Sequence, residues 1–326
     1  MIKWFKQNEV LQLVVILATT LMLWLPAIMH PVAMQTGHDY APIYSLCYSW
    51  LHTNSRLATL LALLLVVVEG FLFNLLLYNH KMVGANTLMP TWLYIVVMSA
   101  TPAQLTLTPM VMANLPLIGM ISMMTVKEDL SISMDNIFNA ALLVAIASLC
   151  YTPSVVMLAV MLILFTVHNL YNWRHWVMLL LGFLAPIIVV ATYYFLNDRL
   201  YYVSFLTRMN ITDIHFSIAT ANTLTWICNG LLLAVLLITL FNGIANANDR
   251  VQMFRKNNRV LTLFLLGGVM MLLYSDMLPT NPQMVALPLS YLASYYLMGV
   301  KRRLWLYNTL LLLIIILFIA ANWIRY

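Results

Sequence analysis

Residues 57–78 read LATLLALLLVVVEGFLFNLLLY. The stretch holds no proline, and Glu69 is its only charged side chain. Crossing the hydrocarbon core of a bilayer takes about 20 consecutive, mostly apolar residues. A helix this apolar on every face has no solvent side, so it reads as a membrane span rather than as the amphipathic helix of a soluble domain.

The neighbouring sequence repeats the pattern. Candidate spans lie at 10–29, 57–78, 88–101, 106–125, 137–151, 153–170, 175–196, 220–245, 260–275, 281–299 and 304–323. The third is short, and Pro102 and Pro109 stand between it and the fourth. That pair reads either as two full spans or as a tilted, re-entrant hairpin, so the expectation is nine to eleven spans. Lys3 and Lys6 precede the first. Its apolar core from Val10 to Met29 outlasts the h-region of a signal peptide, so it reads as an uncleaved anchor.

Composition agrees. The chain has 326 residues, 63% of them hydrophobic and 8% charged, with mean hydropathy +0.90. Soluble domains carry about 25% charged residues, so a soluble enzyme and a disordered chain are both excluded. The apolar runs are continuous rather than alternating, which excludes a membrane β-barrel. The expected fold class is all-α: a polytopic transmembrane helical bundle of about eleven spans, with residues 1–326 forming a single integral-membrane domain and no soluble domain.

The basic residues orient the bundle. Lys3, Lys6, Lys81, Lys127, Arg174, Arg250, Arg255, Lys256, Arg259, Lys301, Arg302 and Arg303 fall on one side of an eleven-span arrangement. Arg56, Arg199, Arg208 and Arg325 fall on the other, which accounts for all 16. Cytoplasmic loops carry the positive excess, so the arrangement is N-in and C-out across a bacterial cytoplasmic (inner) membrane. The net charge of +6 is dispersed along these flanks, and nucleic acid is not an expected partner. Cys47, Cys150 and Cys228 form no disulfide framework and show no metal-ligand spacing.

Polar residues in such a chain mark function or helix contacts. The first outer loop contains His38, Asp39 and Tyr40 ahead of residues 41–51, where Ile43, Leu46, Cys47, Trp50 and Leu51 recur at helical spacing. This predicts an amphipathic helix lying at the interface, with Tyr40, Tyr44 and Tyr48 on another stripe. Asp39 reads as a general base or cation ligand supported by His38, or as the N-cap of that helix. In the second outer loop Arg199 and Arg208 stand among tyrosines. They read as a grip on a lipid-linked phosphate, or as part of an interfacial helix with aromatic anchors. Asp276 follows the ninth span on the same side. Glu69 lies mid-span, where a carboxylate costs at least ~2.5 kcal/mol, so it reads as a proton-coupling or pocket residue, or as a neutral carboxyl bonded to a neighbouring helix. Asn114, Asn139 and Asn229 read as interhelical contacts. Pro116, Pro186 and Pro288 predict kinks or cavities. No P-loop, GxGxxG, GxSxG or HExxH is present.

The order of short motifs resembles an uncharacterised family of multi-pass inner-membrane proteins of Bacteroidota. The residues that carry it are Pro42-Ile43-Tyr44 with Trp50-Leu51, Leu72-Phe73-Asn74, Ala113-Asn114-Leu115, Ile137-Phe138-Asn139-Ala140, Ala147-Ser148-Leu149-Cys150-Tyr151 with Pro153, Tyr171-Asn172-Trp173-Arg174, Gly182-Phe183-Leu184-Ala185-Pro186, and Tyr193-Tyr194-Phe195-Leu196-Asn197-Asp198. That family brings no activity with it. The plan of an acid in the first outer loop followed by an interfacial helix is also similar to that of integral-membrane glycosyltransferases of the GT-C type, which use polyprenyl-phosphate sugars. This chain departs from that plan in having one acid where many such enzymes have an acidic pair, and no soluble C-terminal domain.

Three functions are therefore expected as alternatives. The first is a glycosyltransferase-like enzyme taking sugar from a polyprenyl-phosphate-linked donor at the outer leaflet. Asp39 and His38 would be catalytic there, Arg199, Arg208, Tyr44 and Asp276 would bind substrate, and a divalent cation would be an optional cofactor. The second is a transporter or lipid flippase built around Glu69 and the intramembrane prolines. The third is a non-catalytic subunit of an envelope complex, with protein partners beside the membrane lipids.

Overall fold

The computed structural model describes residues 5, 9–34, 41–83, 87–127, 131–198, 223–245, 252–273, 282–299 and 304–324. Among the described residues every regular element is helical. In chain order these are α1 (Glu9–Met29), α2 (Pro42–Leu51), α3 (Ser55–Asn79), α4 (Met89–Met98), α5 (Pro109–Met124), α6 (Met134–Cys150), α7 (Val156–His168), α8 (Trp173–Leu196), α9 (Thr223–Ala245), α10 (Gln252–Leu273), α11 (Ala286–Gly299) and α12 (Leu304–Ile324). Short 3₁₀ turns stand at Pro102–Gln104, Thr152–Val155 and Pro282–Val285. Helices α1, α3 and α8 are each long and apolar enough to cross a membrane, and α4, α5 and α6 are shorter apolar helices. The chain is a helical membrane protein.

Every stretch read as a span contains a helix, and α2 is the helix expected in the first outer loop. The boundaries differ in two informative places. Helix α4 stops at Met98 and α5 starts at Pro109, leaving ten residues between them in which only the Pro102 turn is helical. Pro102 and Pro109 lack the N–H that a continuous helix needs, and proline disfavours helical backbone at the residue before it. Thr108 then caps α5, its Oγ1 accepting from Val111 N at 3.3 Å. Helix α10 begins at Gln252 rather than near 260, so it takes in the polar run Arg255–Arg259. Asn257 is buried there; it accepts from Val126 N at 2.8 Å and donates to Val126 O at 2.9 Å. The amide ties the first turns of α10 to the end of α5 and gives this polar stretch a place in the bundle.

Helix α4 is at the centre, with all ten of its residues buried. It packs against α3, α11 and α1. Helix α11 is buried from Ala286 to Ser294 and packs against α9 and α10 as well. Helices α1 and α4 run parallel. Gln12 accepts from Leu88 N at 2.7 Å near their beginnings, and Trp24 Nε1 donates to Ser99 Oγ at 2.9 Å near their ends. Helix α8 forms the rim, with only Leu179 and Gly182 buried. It lies along α6, which in turn lies along α5. Gly182 permits this contact: a Cβ there would run into the carbonyl oxygen of Phe138 and press on Ala141 Cβ at 3.0 Å.

Candidate functional site

Non-helical backbone at membrane depth survives only where it is buried in protein or lines a wet cavity, because lipid offers its N–H and C=O groups no partners. Residues 99–108 form a largely non-helical segment between two apolar helices, and the bundle converges on it. Ser99 Oγ donates to Ile95 O at 2.7 Å and accepts from Trp24 on α1. Asn322 on α12 donates from Nδ2 to Ser99 O at 3.2 Å. Tyr44 on α2 donates to Leu107 O at 3.1 Å. Thr108, besides capping α5, donates to Gln283 Oε1 at 2.7 Å and so joins the segment to the Pro282–Val285 turn ahead of α11. Gly268 lets α10 approach that turn, since a Cβ would stand 2.6 Å from Met284 O. Tyr151, just after α6, directs its hydroxyl to Met284 sulfur at 3.9 Å.

This end also holds unmet polar capacity. Thr106 Oγ1, Ser154 Oγ, Gln283 Nε2 and Asn322 Oδ1 are buried with no hydrogen-bond partner among the described residues. A buried polar atom left unpaired costs about 1–3 kcal/mol. Four of them in the segment, the turns and the α12 terminus that meet here set this end apart from an inert contact.

A second polar cluster sits within α3, α4 and α5. Glu69 is fully buried. Tyr94 donates to its Oε2 at 2.7 Å, and Asn114 Nδ2 donates to Tyr94 Oη at 3.1 Å. One turn earlier on α4, Thr91 donates to Gly70 O at 3.0 Å. Glu69 thus bonds to a neighbouring helix, a geometry compatible with either of its two expected roles, and Asn114 contacts a neighbouring helix as expected. Asn139 does not: it is exposed on the outer side of α6.

Helix α2 has one side against the bundle and one side away from it. Pro42 and Tyr44 are its buried residues, while Leu46 is 53% and Trp50 84% exposed. Tyr44 packs inward, Ile43, Cys47, Tyr48 and Leu51 are half-buried against the core, and Leu46 and Trp50 face away from the protein. In a membrane interface this is the consistent orientation, because lipid rather than the bundle receives the apolar side chains. Tyr44, expected to bind substrate, has no exposed surface and directs its hydroxyl at a backbone carbonyl. Asp39, His38, Arg199, Arg208 and Asp276 lie outside the described residues, as does any cation held by Asp39. Among the described residues no group of three or more His, Cys, Asp or Glu could hold a metal ion.

Sequence reasoning passed over Trp24, Ser99, Tyr94, Thr108, Gln283 and Asn322. Their signal was available as polar or hydrogen-bonding side chains inside apolar runs, but nothing in one dimension pairs Thr108 with Gln283 or Asn322 with Ser99. Comparison of the chain with protein-family models, with curated proteins and with solved structures finds no match.

Proposed function

We propose that the chain crosses the bacterial cytoplasmic membrane eleven times, N-in and C-out, and acts at its outer leaflet. The distribution of Lys and Arg supports this, and so does the sorting of contacts. Trp24, Tyr44, Ser99, Leu107, Thr108, Tyr151, Gln283 and Asn322, which meet one another, all belong to the ends that this topology puts outside. Gln12, Leu88, Val126 and Asn257 belong to the ends it puts inside.

The reading we favour for that outer end is glycosyl transfer from a polyprenyl-phosphate-linked donor. The observation that carries it is the seating of α2 on the non-helical segment through Tyr44 and Leu107: a surface helix preceded by an acid, fixed over a buried polar end. Asp39, two residues before the buried Ala41, takes the proton from the acceptor hydroxyl or holds a divalent cation, with His38 in support. Arg199 and Arg208 hold the donor phosphate, and Asp276 contributes to the acceptor side. Tyr44 positions α2. Proteoliposomes supplied with polyprenyl-phosphate-linked hexose or pentose should release polyprenyl phosphate. Asp39→Asn should stop the release while leaving the thermal unfolding profile in place, and full activity in that variant would remove the assignment.

A transporter or lipid flippase is the second reading, favoured by the Glu69–Tyr94–Asn114 cluster within the span. Glu69→Gln should then alter the pH dependence of flux in proteoliposomes, and flux unchanged at every pH would remove it.

A further inference from the structure

Glu69 is buried without exposure, and among the described residues the helices packed most closely against α3 are α1, α2, α4 and α5. None of the four contains a single Lys, Arg or His. On α3 itself the nearest basic residue is Arg56, thirteen positions earlier and therefore about 20 Å away along the axis; His80 and Lys81 beyond its other end are about 16 Å or more away. Among the described residues the ionisable side chain bonded to Glu69 is Tyr94, as a neutral donor. An ionised carboxylate here would be a buried charge with no counter-charge, the arrangement proteins avoid by neutralising the group.

The hydrogen bonds leave the other carboxyl oxygen open to a proton. Asn114 donates to Tyr94 and Tyr94 donates to Glu69 Oε2, so the chain of donors runs toward the carboxyl. Two acceptors in it, Glu69 Oε1 and Asn114 Oδ1, receive no hydrogen bond. A proton on Oε1 turns the first from an unmet acceptor into a donor without bringing in any further atom. A hard metal cation fits poorly, because a calcium ion takes about six to eight oxygen ligands. Among the described residues of this cluster two side-chain oxygens are open, and Gly70 O already accepts from Thr91.

We propose that Glu69 is a proton-binding site in the membrane interior. It carries its proton on Oε1 at neutral pH and is held by Tyr94 and, behind it, Asn114. The site binds a proton rather than a metal ion, and it lies where α3, α4 and α5 meet. This assignment does not depend on whether the chain transfers sugar or moves a solute.

Infrared difference spectroscopy on the full chain in lipid bilayers tests it. At neutral pH the wild type should show the C=O stretch of a protonated carboxyl, and Glu69→Gln should lose it. Tyr94→Phe should shift the band to higher frequency, because one hydrogen bond to the carboxyl is gone. Absence of the band in the wild type overturns the proposal, and that observation needs no variant to fold. Survival of the band in Glu69→Gln, or its disappearance on adding sodium or calcium ions, overturns it equally.

Discussion

Helices α4 and α8 are both strongly apolar, and the bundle uses them in opposite ways. All of α4 is buried, whereas α8 buries only Leu179 and Gly182 and shows Leu180, Leu181, Ile188 and Val189 to its surroundings. Apolarity therefore does not distinguish the two, because in a membrane both the inside and the outside are greasy. Small and polar residues distinguish them. Helix α4 carries Thr91, Trp92 and Tyr94, each bonded to another helix: Thr91 to Gly70, Trp92 Nε1 to Thr19 Oγ1 at 3.1 Å and Tyr94 to Glu69. On α8 the one buried small residue, Gly182, marks the line of contact, and Thr192 bonds back to Ile188 O of its own helix at 2.8 Å.

The sharpest way to break this contrast is Gly182→Val. The side chain would press on the backbone of Phe138, where no rotamer change gives relief, and overpacking costs about 1–3 kcal/mol. Thermal unfolding in detergent should show the largest loss of this series, whereas Leu181→Val one position away on the exposed face should leave the midpoint near that of the wild type. Next in size is Thr108→Val, which removes the cap of α5 and the donor to Gln283 together. A lost cap costs about 1 kcal/mol, and interhelical hydrogen bonds in membranes average about 0.6 kcal/mol. A midpoint equal to the wild type would mean that the 99–108 segment is not held through Gln283.

The sequence makes the helices legible and leaves their pairing obscure. Each apolar run contains a helix because length and hydropathy suffice for that, and the break between the third and fourth runs is visible in Pro102 and Pro109. The inward turn of Tyr44 is not visible. An apolar stripe on a surface helix faces lipid as readily as protein, so periodicity gives the stripe without its partner. Glu69 stands out as the lone charge in its span, but its partner Tyr94 reads as one more aromatic in an apolar run. Asn257, in the polar run ahead of the tenth span, looks like a loop residue until Val126 is placed beside it.

Two smaller effects refine the picture at the ends of the bundle. Tyr44→Phe removes only the hydrogen bond to Leu107. It should cost about 0.6 kcal/mol of stability and, if the proposed glycosyl transfer is the activity, lower it by about threefold, the rate equivalent of that energy. Unchanged stability and transfer would detach α2 from the site. His80, just beyond α3, is buried with Nδ1 2.9 Å from Leu76 O. Burial pushes its imidazole below the ordinary histidine value; the Leu76 carbonyl opposes this, and the charge of Lys127 adds to the downward push. The folded protein therefore binds this proton less readily than the unfolded chain, and stability should fall as pH drops below about 6.5. His80→Gln should flatten that slope in an unfolding series from neutral to acid pH, and an identical slope would place the acid sensitivity elsewhere.

The central claim is that α2 and the non-helical segment form the outward end of the bundle. Cysteine labelling on intact cells tests it directly, in a background with Cys47, Cys150 and Cys228 changed to serine. A membrane-impermeant maleimide should label Ser49→Cys from outside, because Ser49 is exposed on the serine side of α2. Asp135→Cys, exposed in the first turn of α6, should react only after the membrane is permeabilised. Labelling of Asp135→Cys in intact cells while Ser49→Cys stays silent would turn the bundle over and contradict the account.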